Sequence, residues 1–262
     1  MTSVEKVGNL YFKRDDLYEF GGMYGAKVRA AKILCEKAKE EGYTTITTLG
    51  AKSSPQVNIM ASVCKEMGLK AVGHTTTSEL QLDMRRAIEK GADIIQHPYG
   101  YTNVLIKRAQ EYAIKNNAFY LPFGMDDNIA VEATALEVPS IIPYLDEINR
   151  VVIVVGSGIN LAGLIRGFMR YKIKKPILGV QVGFKGVSKI LDKYIGSGVW
   201  ERHCELVSAK QNYNDYSEYT CVNGVEVDST YEGKCIPFLE KGDLYWLIGK
   251  KENQHQGKSI EI

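Results

Sequence analysis

The residues of this 262-residue chain best suited to chemistry sit in two glycine-rich turns. The first lies in VVIVVGSGINLAGLIRGF, which reads as a buried strand, a turn of small residues and a helix. Gly156 and Gly158 let the backbone turn sharply and present N–H groups to an anion. Asn160 opens a helix whose amino end favours a phosphate. A tight turn that uses its glycines only for packing is the plainer reading of the same letters. No Lys-Ser/Thr pair follows the loop, which argues against nucleoside triphosphate chemistry. The next strand, ILGVQVG, ends at Gln181 and Gly183 and not at an acidic residue suited to a dinucleotide ribose, so NAD is disfavoured. A single phosphate monoester is the ligand this loop fits best. The second turn carries Gly21, Gly22 and Gly25 and delivers Lys27 to the start of a helix. A lysine held near a phosphate site forms a Schiff base when its surroundings lower its pKa. An ordinary first-turn lysine on a solvated face is the alternative.

Other chemistries find little support. Cys35, Cys64, Cys204, Cys221 and Cys235 show no CxxC spacing, and His74, His97, His203 and His255 form no HxH or HxxxH pair. Free thiols in a reducing compartment and no metal site are expected. Lys+Arg 33 against Asp+Glu 31 leaves a net charge of +2, which argues against a dedicated nucleic-acid binder. The most apolar stretch, Val151 to Ile165, is too short and too polar to span a bilayer, and no apolar signal core opens the chain. No membrane partner and a cytoplasmic location are expected. At 45% hydrophobic and 24% charged residues, the composition is that of a globular protein of one to two domains.

The elements that must hold these turns alternate between strands and helices. Strands are expected at 9–13, 44–49, 70–74, 93–96, 118–121, 150–155 and 177–182. Helices are expected at 27–41, 56–67, 79–90, 102–115, 128–147, 160–171 and 186–194. Gly42, Gly68 and Gly91 follow three of the helices as left-handed stops. Uniformly apolar strands such as VVIVV predict parallel sheets covered on both faces, with ligands beyond the carboxyl ends of the strands. After about Ser197 the pattern becomes irregular and Tyr-rich, and regular elements resume at 231–239 and 244–248.

Taken together, four segments in order resemble the fold-type II pyridoxal-phosphate enzymes, and among them the 1-aminocyclopropane-1-carboxylate deaminase / D-cysteine desulfhydrase family. KRDDL…GG…AKVR (13–29) resembles the family's KRDDL…GGNKxRK. TLGAKSSPQVNIMASVCKEMGLKA (48–71) resembles its GGxQSN segment. VVIVVGSGINLAGLIRGF resembles its GSGGTxAGL phosphate loop, and DSTYEGKCIPFL (228–239) its DPxYxGKA segment. The resemblance implies two α/β/α domains of the tryptophan synthase beta-like fold: residues 1–29 with 126–262 as the larger, and an inserted smaller one at 30–125. It implies pyridoxal 5'-phosphate as cofactor and a homodimer. Lys27 would carry the cofactor and then move protons at the substrate carbon. Gly156, Ser157, Gly158, Ile159 and Asn160 would bind the phosphate. Ser54 would face the substrate, Tyr231 would stand beside the reacting carbon, and Glu232 would meet the pyridine nitrogen. For Ser54 the plainer reading is a helix cap; for Tyr231 and Glu232 it is a helix start with a solvated acid.

The chain also departs from the family pattern. Ala26 stands for Asn, Ala30 for a second lysine, and Asn160 for Thr. Pro55 stands for the Asn that meets the ring hydroxyl, with Gln56 or Asn58 as its replacement. LYWLIGKKE stands for an HTGG-like stretch. Asp126 and Asp127 either recognise a substrate amine or cap the helix that follows, the latter being favoured. The function these features imply is a lyase- or deaminase-like enzyme acting on a small amino acid or amine-bearing substrate through an external aldimine and a carbanion. Deamination, elimination and decarboxylation stay open. Alternatives are an enzyme that modifies an amino acid attached to a nucleotide or nucleobase, and a non-catalytic relative that only binds the cofactor.

Overall fold

The computed structural model describes residues 1–50, 54–77, 79–183, 185–212, 215–249 and 255–262. Residues 51–53 of the TLGAKSSPQ segment and 250–252 of LYWLIGKKE lie outside the described residues. The chain divides into two compact units. One gathers Met1–Tyr18, Tyr24–Ala26 and Val131–Ile262, and the other gathers Glu19–Met23 and Lys27–Ala130.

The first unit is built on a six-stranded sheet. Its order is Val4–Val7, Leu10–Arg14, Asp243–Leu247, Arg150–Val155, Ile177–Gln181 and Cys204–Ser208. Only the Val4–Val7 hairpin edge is antiparallel; the other neighbours run parallel. Val151 to Val155 are buried without interruption, as a strand must be when both faces of its sheet are covered. One face packs Phe12, Val152, Val154, Val180 and Tyr245 against Val222, Val227, Cys235 and Ile236. The irregular Tyr-rich stretch forms a small three-stranded sheet of Val225–Glu226, Tyr219–Val222 and Lys258–Ile260. The single helix expected at 128–147 is two elements: an α-helix over Asn128–Ala135 and a 3-10 helix over Val138–Tyr144. Pro139 supplies the reason, because it has no N–H to continue the α-helical ladder.

The second unit is a four-stranded parallel sheet in the order Asp93–His97, Lys70–Thr76, Thr45–Leu49 and Phe119–Tyr120. Its helices are Ala26–Glu40, Gln56–Met67, Leu82–Glu89 and Thr102–Lys115. Gly68 ends the second of these at φ +68, and the Leu69 N–H reaches back to the Cys64 carbonyl at 2.8 Å. His74 and His97 stack across neighbouring strands, with Nδ1 of the first 2.8 Å from Nε2 of the second and the Tyr112 ring edge-on to His74. Among the described residues no helix is long and apolar enough to cross a membrane.

Candidate active site

In the first unit, the buried strand Arg150–Val155 runs into the glycine turn, and helix Ile159–Arg170 leaves from it. Gly158 caps this helix at φ +99, a left-handed geometry that few other residues accept, and no side chain caps the helix amino end. A Cβ at Gly158 would press on Val187 and Ile190 at 3.3 Å. A Cβ at Gly156 would overlap the hydroxyl of Tyr231. The phosphate-type loop and the DSTYEGK segment are therefore in contact, which the sequence alone did not establish. Asn160 Oδ1 accepts a hydrogen bond from Thr134 Oγ1 at 3.1 Å, so its side chain is held in place by the neighbouring helix.

Tyr231 precedes a 3-10 helix, Glu232–Phe238. Glu232 is 1% exposed, which rules out the solvated-acid reading. Its Oε1 accepts from the Gly249 N–H at 2.7 Å, and its main-chain carbonyl accepts from Tyr245 Oη at 2.5 Å. Burial, joined by the nearby charges of Asp228 and Asp16, pushes its carboxyl well above the usual carboxylate range. Asp228 spends one oxygen on the Thr230 N–H and hydroxyl, at 2.8 and 2.7 Å. Its Oδ2 is buried with no hydrogen-bond partner among the described residues. Lys234, also buried, donates to the Asn212 carbonyl at 2.5 Å. Asp228 and Tyr245 were not singled out from the sequence. Asp228 opens the DSTYEGKCIPFL segment and makes its bonds locally with Thr230, whereas the contact of Tyr245 with Glu232 depends on where its strand packs.

In the second unit, Lys27 is half-buried in the first turn of helix Ala26–Glu40. Ser54 is half-buried, and its Oγ accepts from the Gln56 N–H at 3.3 Å, a capping contact at the start of helix Gln56–Met67. Gln56 is fully buried and all of its amide is in use. Nε2 donates to Thr48 Oγ1 at 2.8 Å and to the Pro122 carbonyl at 2.9 Å, while Oε1 accepts from the Gly124 N–H at 2.8 Å. Asn58 donates to Asp83 at 3.2 Å and accepts from Lys90 Nζ at 2.8 Å. Both amides are thus given to internal partners. In this arrangement Gln56 pins the turn at 122–124 and Asn58 pins helix Leu82–Glu89. Asp127 Oδ1 accepts from the Ile129 N–H at 2.8 Å and caps the following helix. Among the described residues no group of three or more His, Cys, Asp or Glu could hold a metal ion.

The loop fits a phosphate by its own construction: a helix amino end capped by Gly158 at φ +99, with no room for a side chain at 156. A family model described as pyridoxal-phosphate dependent enzyme matches residues 2–211. A Thermotoga maritima protein, described as a candidate 1-aminocyclopropane-1-carboxylate deaminase, is 25% identical over 88% of this chain and 83% of its own. A glycyl-dTMP PLP-dependent decarboxylase of Pseudomonas phage M6 is 25% identical over 60% of this chain and 59% of its own. The crystal structure of an ACC deaminase homologue superposes with a TM-score of 0.76 at 22% identity, covering 92% of this chain and 84% of that one.

Proposed function

The chain belongs to the pyridoxal-phosphate dependent enzymes, and within them we propose that it removes a group from the carbon bearing the amine of a small amino acid, as a deaminase or lyase. The observation that carries this reading is the Tyr231 hydroxyl set directly over Gly156 of the phosphate-type loop. When bound, pyridoxal phosphate supplies an electron sink for that bond cleavage. The protein's own residues do the rest. The turn at Gly156–Asn160 binds the phosphate through main-chain N–H groups, with Ile159 and Asn160 opening the helix. Lys27 Nζ holds the cofactor and afterwards carries a proton at the substrate carbon. Ser54 orients the substrate. Tyr231 Oη acts as acid or base beside the reacting carbon. Glu232 would pair with the ring nitrogen of a bound cofactor, where its buried carboxyl would tune the ring's electron demand.

Protein purified with the cofactor is expected to be yellow, with an absorption band near ~420 nm. Borohydride reduction is expected to fix the label on Lys27, as peptide mass spectrometry would show. Spectral change across a panel of amino acids then identifies the substrate. A colourless chain that takes up no pyridoxal phosphate overturns the assignment of these residues. A cofactor-loaded chain that turns over none of the panel points to the non-catalytic relative.

A second reading is an amine borne on a nucleotide. The likeness to the phage glycyl-dTMP decarboxylase supports it. So do Tyr99 and Tyr101, 90% and 85% exposed in the loop after strand Asp93–His97, where two rings flank Gly100. Exposed aromatic faces of this kind can stack on bases. Binding of oligothymidylate that is lost in Tyr99→Ala/Tyr101→Ala favours this reading; equal binding by both proteins removes it.

A further inference from the structure

Strand Asp243–Leu247 lies inside the first unit's sheet, between Leu10–Arg14 and Arg150–Val155. It grips residue 232 at two points. Tyr245, fully buried within the strand, donates its hydroxyl to the Glu232 carbonyl at 2.5 Å. Two residues past the strand, the Gly249 N–H donates to Glu232 Oε1 at 2.7 Å. The same strand end makes a third contact: the Ile248 carbonyl accepts from the Ala26 N–H at 2.8 Å. That approach needs a glycine at position 25. Gly25 sits at φ +109, and a Cβ there would lie 2.8 Å from Ile248 O and 3.1 Å from the Gly249 Cα.

One strand end therefore fixes the Glu232 carboxyl and also Ala26, the residue that precedes Lys27 in the chain. We propose that Tyr245 and the Ile248–Gly249 turn form a positioning element for the cofactor site. They set the Glu232 carboxyl at a defined height and hold Gly25 and Ala26, within the same unit, against the same strand end. This rests on the assignment of Lys27 and Glu232 to the cofactor. Tyr245 acts through Glu232 and is a positioning residue. It also offers a reason for the departure at LYWLIGKKE: a buried tyrosine and a backbone N–H hold the acid from behind.

The test compares wild type, Tyr245→Phe, Glu232→Gln and their double variant, each loaded with pyridoxal phosphate. Phe keeps the ring that packs 6.4 Å from Phe12 and removes only the hydroxyl. The expected result is an intact fold, about tenfold weaker cofactor binding, and a pH titration of the visible band displaced in the same direction as in Glu232→Gln. The double variant should move no further than Glu232→Gln alone. Gly249→Pro, which removes the second grip without touching Tyr245, should displace the titration likewise, and it carries the test if Tyr245→Phe does not fold. Wild-type titration and affinity in either variant, or additive shifts in the double variant, overturn the proposal. A wild-type chain that binds no cofactor overturns the underlying assignment, and the proposal with it.

Discussion

The two units handle buried polarity differently. The first buries ionisable groups: Lys13, Asp15, Asp16, Glu137, Asp228, Glu232, Lys234 and Asp243. Lys13 Nζ, with no exposure, lies 2.6 Å from Glu137 Oε2 and 3.5 Å from Asp15 Oδ1, and donates to the Thr2 carbonyl at 2.7 Å. Asp15 in turn accepts from Trp246 Nε1 at 3.0 Å. Arg150 holds Asp243 through two contacts at 2.9 and 3.0 Å. Apart from Arg29, the buried polar groups of the second unit are neutral: Thr47, Thr48, Gln56, Asn58, Ser62, His74 and Thr75. The difference follows the path of the chain. The first unit must join segments far apart in sequence, and a charge that is costly to bury unpaired penalises every wrong register. The second unit is almost one continuous segment, and neutral amide and hydroxyl bonds such as Thr48 to Leu121 and Gln56 to Pro122 tie it together.

The largest expected effect comes from removing the cation at the centre of the first unit. Lys13→Met removes the buried cation that Glu137 and Asp15 share and should cost about 3–5 kcal/mol. Denaturant unfolding followed by Trp246 fluorescence measures it, and a loss under 1 kcal/mol would erase the contrast between the units. Next comes acid. Burial, and secondly the neighbouring His97, lower the His74 pKa from 6.5 to about 4, and burial lowers that of His97 as well. The unfolded chain therefore takes up protons first, between pH 6.5 and 4. Stability is fully present above 6.5 and falls as the pH drops through that window, by a figure on the order of 3 kcal/mol. Hydrogen exchange should show the second unit opening first, and His74→Phe should flatten the response. Gln56→Ala comes third, at about 2 kcal/mol, because it removes three buried hydrogen bonds, to Thr48 Oγ1, the Pro122 carbonyl and the Gly124 N–H. Thermal unfolding would show it. At the small end, Lys70→Ala breaks only the exposed pair with Asp93 at 2.9 Å and should leave the melting temperature unchanged.

Legibility in the sequence tracks the same contrast. Helices Gln56–Met67 and Thr102–Lys115 and strand Arg150–Val155 end where their periodicity and flanking residues place them, because local pattern decides them. Strand Val4–Val7, with two charges in four residues and partial exposure, carries no such pattern and exists by virtue of its partner Leu10–Arg14. Cys204–Ser208 is likewise a strand only beside Ile177–Gln181. Helical spacing alone runs through 128–147, and Pro139 is the local residue that divides it. At the site, Gly156–Asn160 stood out because a turn between a buried strand and a helix has a signature of its own. The contact of Tyr231 with Gly156 joins segments tens of residues apart, and the grip of Tyr245 and Gly249 on Glu232 crosses 13 and 17 residues between a 3-10 helix and a strand. The internal use of Gln56 and Asn58 depends on partners as distant as Pro122 and Lys90.

The pairing of Leu244 with Tyr11 spans about 230 residues, and this sets the order in which a ribosome can deliver a finished protein. The second unit is complete once residue 130 has cleared the exit tunnel, and its parallel strands close over modest loops. The hairpin Val4–Val7 and Leu10–Arg14 is made before the second unit, yet its inner edge waits until Asp243–Leu247 has been synthesised. Throughout that interval it presents an open strand edge to other nascent chains. Polysome-bound chains stopped near residue 180, with residue 130 clear of the tunnel, should resist protease across 30–130 and be cut within residues 1–18.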